Sequence, residues 1–576
     1  MNRFFSLSGI ILTAYLITAC AGQAVHEPMA EQPRAITVDR SVNYPPVELT
    51  PQILYDLLLG EIAGQRGYIT LSVDMLTQAA LKTRDPRLAE RATSVALYAK
   101  HYAEALKTAR LWVELQPENI ESREALAEVL LELDHPQEAK QQFARILSLS
   151  TSPDSLAQAY LKTAAVLARS QNRATGVEIM QELVQLHAEK PEAYFALAHL
   201  AVRQGDLDKA QVSIDRALHL RPGWQEAAVF KARVLVSRKE TQKVGTFYES
   251  FLKSYPQAAV LRLNYARYLV DLRRWDAARA QFKHIADDNP RDADALYAVG
   301  LLALQGNQLD EAEKYLKLNL SVQPENDQSR LYLGQIAEQR KNYAEAARWY
   351  EAVESGEYYF EAQMRLGAVF AKQGNVEAAR HHLHGIQPES DQQRVQLVLS
   401  EDQILRDGKQ YQESLKVLSS ALTALPDDPD LLYARALVAE KLDMLDAHER
   451  DLRKLIQMDA KNVQALNALG YTLADRTNRL KEAFELIERA LALKPDDPFI
   501  MDSMGWVHYR MGNTAEAVKF LKRALAIRSD AEISAHLGEV LWVTGDRAAA
   551  ETIWKQALRD TPDNEVLLGI IKKFKP

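Results

Sequence analysis

Three stretches near the carboxyl end of the chain decide the fold: ALNALGYTLADRTNRLKEAFELIERALALKPDD (465–497), FIMDSMGWVHYRMGNTAEAVKFLKRALAIRSD (499–530) and ISAHLGEVLWVTGDRAAAETIWKQALRDTPDN (533–564). Each stretch has a Leu-Gly or Met-Gly pair in a first segment, then a short turn containing Gly or Asn, and then an alanine in a second segment. Two segments of helical pattern joined by a short turn predict an antiparallel pair of helices. The stretches therefore predict a helical hairpin that recurs near every 34 residues.

A small residue recurs at the centre of each predicted helix, and the two members of a pair are 12 or 13 residues apart. The pairs are Gly300/Ala312, Gly334/Ala346, Gly367/Ala379, Gly470/Ala483, Gly505/Ala517 and Gly538/Ala550. Small side chains at both points allow two helix backbones to approach closely. The spacing therefore predicts that each pair lies where the two helices of a hairpin touch.

Prolines close many of the repeats, and three consecutive gaps between them are each 34 residues long. These prolines are Pro117, Pro222, Pro256, Pro290, Pro324, Pro426, Pro495 and Pro562. Extending the frame predicts about fifteen hairpins between residues 53 and 564, followed by a capping helix within residues 565–576. Four segments lack most of the motif, so both divergent repeats and irregular helices stay open there: 53–86, 86–119, 157–190 and 225–258.

Period, small residues and prolines together resemble the tetratricopeptide repeat. The resemblance implies an all-α, superhelical solenoid of about fifteen helical hairpins, whose stacked repeats form one body with a concave groove. This body replaces the several domains that 576 residues would otherwise suggest. We expect partly divergent repeats over residues 51–258 and regular repeats over residues 259–564.

Composition excludes several classes of protein. With 47% apolar and 26% charged residues, the chain is neither disordered nor a polytopic membrane protein. Its 70 basic and 78 acidic side chains give a net charge of -8, which argues against binding to nucleic acid. A single cysteine excludes an internal disulfide framework and cysteine-rich metal sites.

That cysteine, Cys20, ends a leader with one early arginine and a long apolar stretch, MNRFFSLSGIILTAYLITAC. The sequence Ile17-Thr18-Ala19-Cys20 resembles the bacterial lipobox. The resemblance implies that residues 1–19 are a cleaved signal peptide and that Cys20 carries a diacylglycerol and an N-acyl chain. No other cofactor is expected. An ordinary signal peptide with an accidental cysteine, or an uncleaved anchor helix, remains the alternative.

The residues after Cys20 predict how the body would be held at a membrane. Ala21, rather than Asp, follows the cysteine, and in enteric-type sorting this implies export to the periplasmic side of the outer membrane. Residues 20–50 are rich in proline and show no helical periodicity. They predict a flexible tether with an end-to-end distance of about 30 Å.

The sequence offers little catalytic chemistry. The motifs of phosphate-binding loops, dinucleotide sites, hydrolase elbows and zinc proteases are all missing from it. The densest metal-like cluster is His381-His382-Leu383-His384, which we interpret as helix surface because no nearby carboxylate completes a ligand set. The acidic runs at Asp287-Asp288 and Asp496-Asp497 are expected to cap helices. The sequence therefore predicts a protein that is not an enzyme and holds no metal.

A binding surface is what remains. In tetratricopeptide arrays the groove is lined mostly by positions 2, 5, 9, 12 and 13 of each repeat. Here those positions carry Tyr297, Leu301, Gln335, Tyr433, Asn467, Tyr471, Asp502, Trp506, Tyr509 and Arg510. Aromatic side chains among amides and an arginine suit the recognition of an extended peptide. Packing between neighbouring repeats is an equally good explanation for Trp506 and some of the tyrosines.

Lipobox, proline-bearing tether and long repeat array together resemble the tetratricopeptide outer-membrane lipoproteins of Gram-negative bacteria, especially pseudomonads. The resemblance implies an adaptor that binds a carboxyl-terminal processing serine protease of the periplasm. It also implies that the adaptor delivers peptidoglycan hydrolases to that protease for degradation. The alternative is a scaffold for exopolysaccharide export or for pilus or secretion machinery. Proteins and a membrane, but no nucleic acid, are the expected partners.

Overall fold

The computed structural model describes residues 48–170 and 172–574, and every regular element within them is an α-helix. The predicted all-α class is therefore confirmed. The chain divides between Pro324 and Glu325 into two compact units, which we call the N-terminal unit and the C-terminal unit. The predicted signal peptide, Cys20 and most of the predicted tether lie outside the described residues.

The described part of the N-terminal unit contains sixteen helices, which pair into eight hairpins. In chain order they are α1 Pro51–Gln65, α2 Ile69–Thr83, α3 Pro86–Tyr98, α4 Tyr102–Leu115, α5 Ile120–Glu132, α6 Pro136–Leu149, α7 Pro153–Arg169, α8 Arg173–Leu186, α9 Pro191–Gln204, α10 Leu207–Leu220, α11 Gln225–Ser237, α12 Thr241–Ser254, α13 Ala259–Asp271, α14 Trp275–Asp288, α15 Ala293–Gln305 and α16 Leu309–Val322.

The described part of the C-terminal unit contains seven further hairpins and one final helix. They are α17 Asp327–Gln339, α18 Tyr343–Glu351, α19 Tyr359–Lys372, α20 Val376–Gly385, α21 Asp391–Asp407, α22 Tyr411–Ala424, α23 Pro429–Lys441, α24 Leu445–Met458, α25 Val463–Arg476, α26 Leu480–Leu493, α27 Pro498–Arg510, α28 Thr514–Ile527, α29 Ala531–Val543, α30 Arg547–Asp560 and α31 Glu565–Phe574.

Helical hairpins also form in the four segments where the motif is weak. The pairs α1–α2, α3–α4, α7–α8 and α11–α12 occupy them. The described parts of the two units therefore contain fifteen hairpins, the number that the repeat period predicts. The division of the repeats at residue 258 concerns the regularity of the sequence and stays a prediction.

The glycines of the small-residue pairs make room for a third side chain. A Cβ atom built on Gly505 of α27 would lie 3.2 Å from the carbonyl oxygen of Ala517 and 2.6 Å from Cγ of Leu521, both on α28. At Gly538 of α29, the Trp554 ring of α30 fills the same space. The predicted close approach is therefore present here, and the side chain one turn after the alanine packs directly over the glycine.

Neighbouring hairpins share their cores. In the C-terminal unit the first helices α25 and α27 contact each other, and each second helix also contacts the next first helix, as α26 contacts α27. One cluster of buried side chains runs from Val395 to Val507 across several hairpins. At the end of this unit, α31 buries Leu567 against the last hairpin, as expected of a capping helix.

Of the two acidic runs, only one caps a helix. Asp497 precedes α27, and its carboxylate accepts a hydrogen bond from the backbone N–H of Phe499 at 3.0 Å. The expectation for Asp287 and Asp288 is wrong, because both lie in the last turn of α14. The cap of the next helix is Asp292, which accepts from the backbone N–H of Ala295 at 2.9 Å.

Candidate protein-binding face

The residues predicted to line the groove lie on the first helices of five hairpins, α15, α17, α23, α25 and α27. Tyr297 and Leu301 on α15 are buried, whereas Gln335 on α17 and Tyr433 on α23 are half-buried. The remaining six fall on two neighbouring helices, α25 and α27: Asn467, Tyr471, Asp502, Trp506, Tyr509 and Arg510. We use the term first-helix face for the surface that these repeat positions form within each unit.

Two side chains of α27 bind the end of α25. The Trp506 indole Nε1 donates to a carboxylate oxygen of Asp475 at 3.1 Å, and only 6% of Trp506 is exposed. The Arg510 guanidinium donates to the backbone carbonyl oxygens of Asp475 and Thr477. Trp506 therefore packs between hairpins, which favours the structural explanation of this residue over direct contact with a ligand.

His536 on α29 connects three hairpins. Its Nδ1 atom lies 2.9 and 3.0 Å from the two carboxylate oxygens of Asp502 on α27. Its Nε2 atom lies 3.3 Å from the hydroxyl of Tyr471 on α25. The imidazole stacks on the Trp506 indole with 4.3 Å between ring centroids. We call Tyr471, Asp502, Trp506 and His536 the histidine network.

The electrostatics of this network favour a charged imidazole. Burial by itself would lower the pKa of His536, but the Asp502 carboxylate, helped by Glu532 and Asp475, outweighs burial and raises it. Burial raises the pKa of the Tyr471 hydroxyl, and the same acidic neighbours, Asp475 and Asp502, raise it further. The network is therefore a buried His–Asp ion pair flanked by a neutral tyrosine.

A second set of contacts ties the capping helix to this face. The Tyr509 hydroxyl donates to Oε1 of Glu539 on α29 at 3.4 Å. The Lys573 ammonium on α31 donates to the same oxygen at 2.9 Å. Burial and the Glu539 carboxylate raise the pKa of Tyr509. Glu539 thus joins α27, α29 and α31 through a single buried carboxylate.

Reading the sequence missed four members of this arrangement. Asp475, Glu532 and Glu539 occupy repeat positions 13, 2 and 9, which are among the positions used for prediction. Applying those positions to every hairpin would have found them. His536 occupies a different repeat position, and nothing in the repeat pattern distinguishes it.

The other predicted residues are not part of the network. The Oδ1 atom of Asn467 is buried, and within the described part of the chain it has no hydrogen-bond partner. Burial raises the pKa of Tyr433, and the nearby Glu440 carboxylate raises it further. Asn467, Tyr433 and Gln335 stay predictions as ligand contacts, and all three retain partial exposure.

The histidine cluster on α20 binds other parts of its own hairpin and the next one. His382 Nε2 lies 3.1 Å from the carbonyl oxygen of Gln363, and Leu383 between the histidines is buried in the core. The expectation that no carboxylate lies nearby is wrong, because Glu401 Oε2 lies 2.9 Å from His384 Nε2. Across residues 48–170 and 172–574, no group of three or more potential ligands could hold a metal.

The described helices are too short or too polar to cross a bilayer. Within those same ranges, none combines the length and the apolar character that a membrane-spanning helix needs.

Known proteins with this sequence pattern are tetratricopeptide repeat proteins. A family model described as tetratricopeptide repeat matches residues 195–259, 263–318, 313–359 and 449–498, and a second model with this description matches residues 500–530. A solved tetratricopeptide repeat protein from Parabacteroides merdae is 15% identical, covers 49% of this chain and 97% of its own, and superposes with a TM-score of 0.34.

Two proteins of Pseudomonas aeruginosa are similar in sequence. The TPR repeat-containing protein PA4667 is 34% identical over 490 residues, which cover 84% of this chain and 82% of that protein. The Type IV pilus assembly protein PilF is 22% identical over 186 residues, which cover 32% of this chain and 74% of PilF. The repeat models and the long match to PA4667 show that the chain belongs to the tetratricopeptide repeat family.

Proposed function

We propose that this protein is a lipid-anchored, non-catalytic adaptor on the periplasmic side of the outer membrane. It would bind a carboxyl-terminal processing serine protease and deliver peptidoglycan hydrolases to it. The combination of the lipobox at Cys20 with fifteen hairpins carries the proposal. In this combination the chain resembles the adaptor lipoproteins LbcA, a partner of the processing protease CtpA, and NlpI.

The physics of a repeat array supports the proposed adaptor function. Within each unit every hairpin contacts its neighbours, so its row of first helices offers an extended surface on which a protein segment can bind. Binding protease and substrate to one chain makes their encounter nearly intramolecular. A lipid anchor at Cys20 would confine both proteins to the membrane that faces the cell wall.

The structure is consistent with a rigid scaffold. In the C-terminal unit, the histidine network and the Glu539 contacts hold three consecutive first helices and the capping helix together. A preorganised surface loses little conformational entropy when it binds an extended segment. The half-buried residues Gln335 and Tyr433 are the predicted contacts best placed to touch such a segment.

Photo-crosslinking from the first-helix face tests the adaptor proposal. Benzoylphenylalanine would replace Gln335 or Tyr433 in the full-length, membrane-anchored protein, and Lys522, exposed on the second helix α28, would serve as the matched control position. We expect adducts with a processing protease and with cell-wall hydrolases from the first two positions only, as identified by mass spectrometry. Equal crosslinking from Lys522, or no such protease at any position, would contradict the proposal.

Lipidation is tested separately. Labelling with a palmitate analogue should mark the wild-type protein and spare Cys20→Ala. Equal labelling of the two proteins would rule out the lipid anchor at Cys20 while leaving the binding of proteins open.

A scaffold for pilus assembly is the second candidate, and the similarity to PilF supports it. The match covers only part of this chain, whereas the match to PA4667 covers most of it. If the crosslinking experiment yields pilus or polysaccharide-export components in place of a protease, this second function is the correct one.

A further inference from the structure

Three arginines on first helices of the N-terminal unit lack the partners that neighbouring arginines have. Arg203 on α9, Arg233 on α11 and Arg267 on α13 are all exposed. Within the described residues, none of the three has an ion pair or a hydrogen bond from its side chain. We call these three residues the arginine ladder.

Other arginines of the same region are paired with carboxylates. Arg221 binds the buried Glu192, and Arg238 binds Asp208. Arg279 lies 3.2 Å from a carboxylate oxygen of Glu311. Residues 191–288 contain sixteen basic and eleven acidic side chains, so the region has more cations than anions. Carboxylates therefore neutralise Arg221, Arg238 and Arg279, whereas the arginines of the ladder keep their positive charge without a paired carboxylate in the described part of the chain.

The ladder follows the period of the repeat. Arg233 and Arg267 each come directly after the buried small residue of their helix, Ala232 or Ala266, and are 34 residues apart. The same position one repeat earlier is His199, and Arg203 follows it one helical turn later. Consecutive first helices therefore present cationic or imidazole side chains at the same repeat position.

The positive charge of the arginine ladder affects the nearby His199 imidazole. Its imidazole stacks on Phe230 of α11 with 3.9 Å between ring centroids, and its buried Nε2 atom has no hydrogen-bond partner among the described residues. Burial, together with the positive charges of Arg203 and Arg233, lowers the pKa of His199 to about 4. The two charges that shift the pKa of His199, at the contact between α9 and α11, are thus both positive.

Apolar side chains accompany the charges. Val236, three residues after Arg233, and Val260, seven residues before Arg267, are each 50% exposed. On a helix these spacings place each valine on the same side as its arginine. The face therefore combines guanidinium groups, which pair well with carboxylates, and exposed apolar surface, as a peptide-binding site does.

We propose that the arginine ladder binds an extended, acidic segment of a partner protein, with an acidic side chain at about every third residue. Axes of packed helices lie about 8–10 Å apart. A polyproline II segment rises about 3.1 Å per residue and has three residues per turn, so its every third side chain lies on one side at a spacing of about 9 Å. Carboxylates at that spacing match arginines on successive first helices.

This inference rests on the proposed adaptor function and specifies one of its ligands. A protein segment fits better than nucleic acid, because the chain as a whole carries a net charge of -8. It also fits better than a lipid surface, because the arginines are spaced one to a helix and alternate with apolar side chains. Nucleic acid and anionic lipid are therefore outcomes that the test must be able to reveal.

Fluorescence anisotropy with the full-length protein in detergent measures the interaction. The probe is a fluorescein-labelled peptide of repeated Glu-Pro-Ala triplets, and the control peptides are the Gln-Pro-Ala analogue and a peptide of equal composition with its glutamates grouped together. We expect the triplet peptide to bind in a salt-sensitive manner. We expect Arg233→Ala combined with Arg267→Ala to raise its Kd by about tenfold or more.

Lys253→Ala is the matched control, because it removes an exposed positive charge from the second helix of the same region. It should leave the Kd and the helical circular dichroism unchanged, and the exposed arginine variants should also retain their melting temperature. Equal binding of the glutamine peptide, or an unchanged Kd in the double arginine variant, would overturn the inference. So would binding to phosphatidylglycerol vesicles or duplex DNA without binding to the peptide.

The crosslinking experiment distinguishes this failure from failure of the adaptor function. If Gln335 and Tyr433 still crosslink to a protease in the double arginine variant while the triplet peptide does not bind, the adaptor function stands and the arginine ladder is not its acidic-segment site. If no partner is crosslinked at all, the adaptor function fails whatever the peptide does.

Discussion

The arginine ladder of the N-terminal unit and the histidine network of the C-terminal unit use the same repeat position in opposite ways. Arg233 and Arg267 follow the small residue of their first helices, as Tyr471 and Trp506 follow Gly470 and Gly505. In the C-terminal unit, the side chains at this position form hydrogen bonds with side chains of neighbouring hairpins. In the N-terminal unit, the arginines at this position are exposed and have no partners in the described residues.

The difference teaches how to separate packing from binding in a repeat protein. A repeat position describes where a residue lies on its helix. The side chains of the neighbouring hairpins decide whether its polar atoms remain available to bind a ligand. Trp506 and Asp502 match the expected groove positions, yet Asp475 and His536 already occupy their polar atoms. Unpartnered charge at the same position is the stronger indication of a binding surface.

Replacing Asp502 should change stability more than any other substitution that tests this comparison. Asp502→Ala leaves the His536 imidazole buried without its counterion, so we expect unfolding of the C-terminal unit to become easier by about 3–5 kcal/mol. Urea denaturation followed by circular dichroism and by hydrogen exchange on α27 and α29 measures it. In contrast, Arg233→Ala should leave stability unchanged. A similar loss in both variants would remove the distinction between the two regions.

Overpacking a hairpin should give the next largest effect. Gly505→Leu forces side-chain atoms into the space of Leu521 and the Ala517 carbonyl, and we expect a cost of about 1–3 kcal/mol. Thermal melting of the full-length protein measures the change. An unaltered melting temperature would mean that α27 and α28 do not meet closely at Gly505.

The two histidines should respond to pH in opposite directions. The folded-state pKa of His199 is about 4, below the usual 6.5, so its contribution is present above pH 6.5 and is lost as the pH falls toward 4. The folded-state pKa of His536 is raised, so its contribution is present below pH 6.5 and is lost as the pH rises through the raised value.

Melting curves from pH 4 to pH 9 on the wild type and on two single variants test this expectation. His199→Gln should flatten the acid side of the stability profile, and His536→Gln should flatten the alkaline side. If either variant flattens the wrong side, the electrostatic description of that histidine is incorrect.

The sequence could predict the hairpins because helix period, small residues and closing prolines are local signals. Gly505 and Ala517 were paired correctly from their spacing alone. The partners of Trp506 could not be predicted in the same way, because contacts of Asp475 and His536 with it depend on how the helices of different hairpins rotate against each other. The arginine ladder could not be predicted for a related reason: the sequence does not show that the neighbouring hairpins leave Arg233 and Arg267 without partners among the described residues.

The smallest predicted change in stability comes from replacing a helical glycine that has free space around it. A Cβ atom built on Gly245, within α12, meets no atom within 4 Å, whereas one built on Gly505 meets Leu521 at once. Gly245→Ala should therefore stabilise the N-terminal unit by up to about 1 kcal/mol, because alanine loses less backbone entropy on forming a helix. Urea denaturation measures the gain, with Gly505→Ala as the matched comparison. A loss of stability in Gly245→Ala would mean that the surroundings of Gly245 do not have room for a methyl group. The contacts of a helical glycine would then not predict the effect of replacing it.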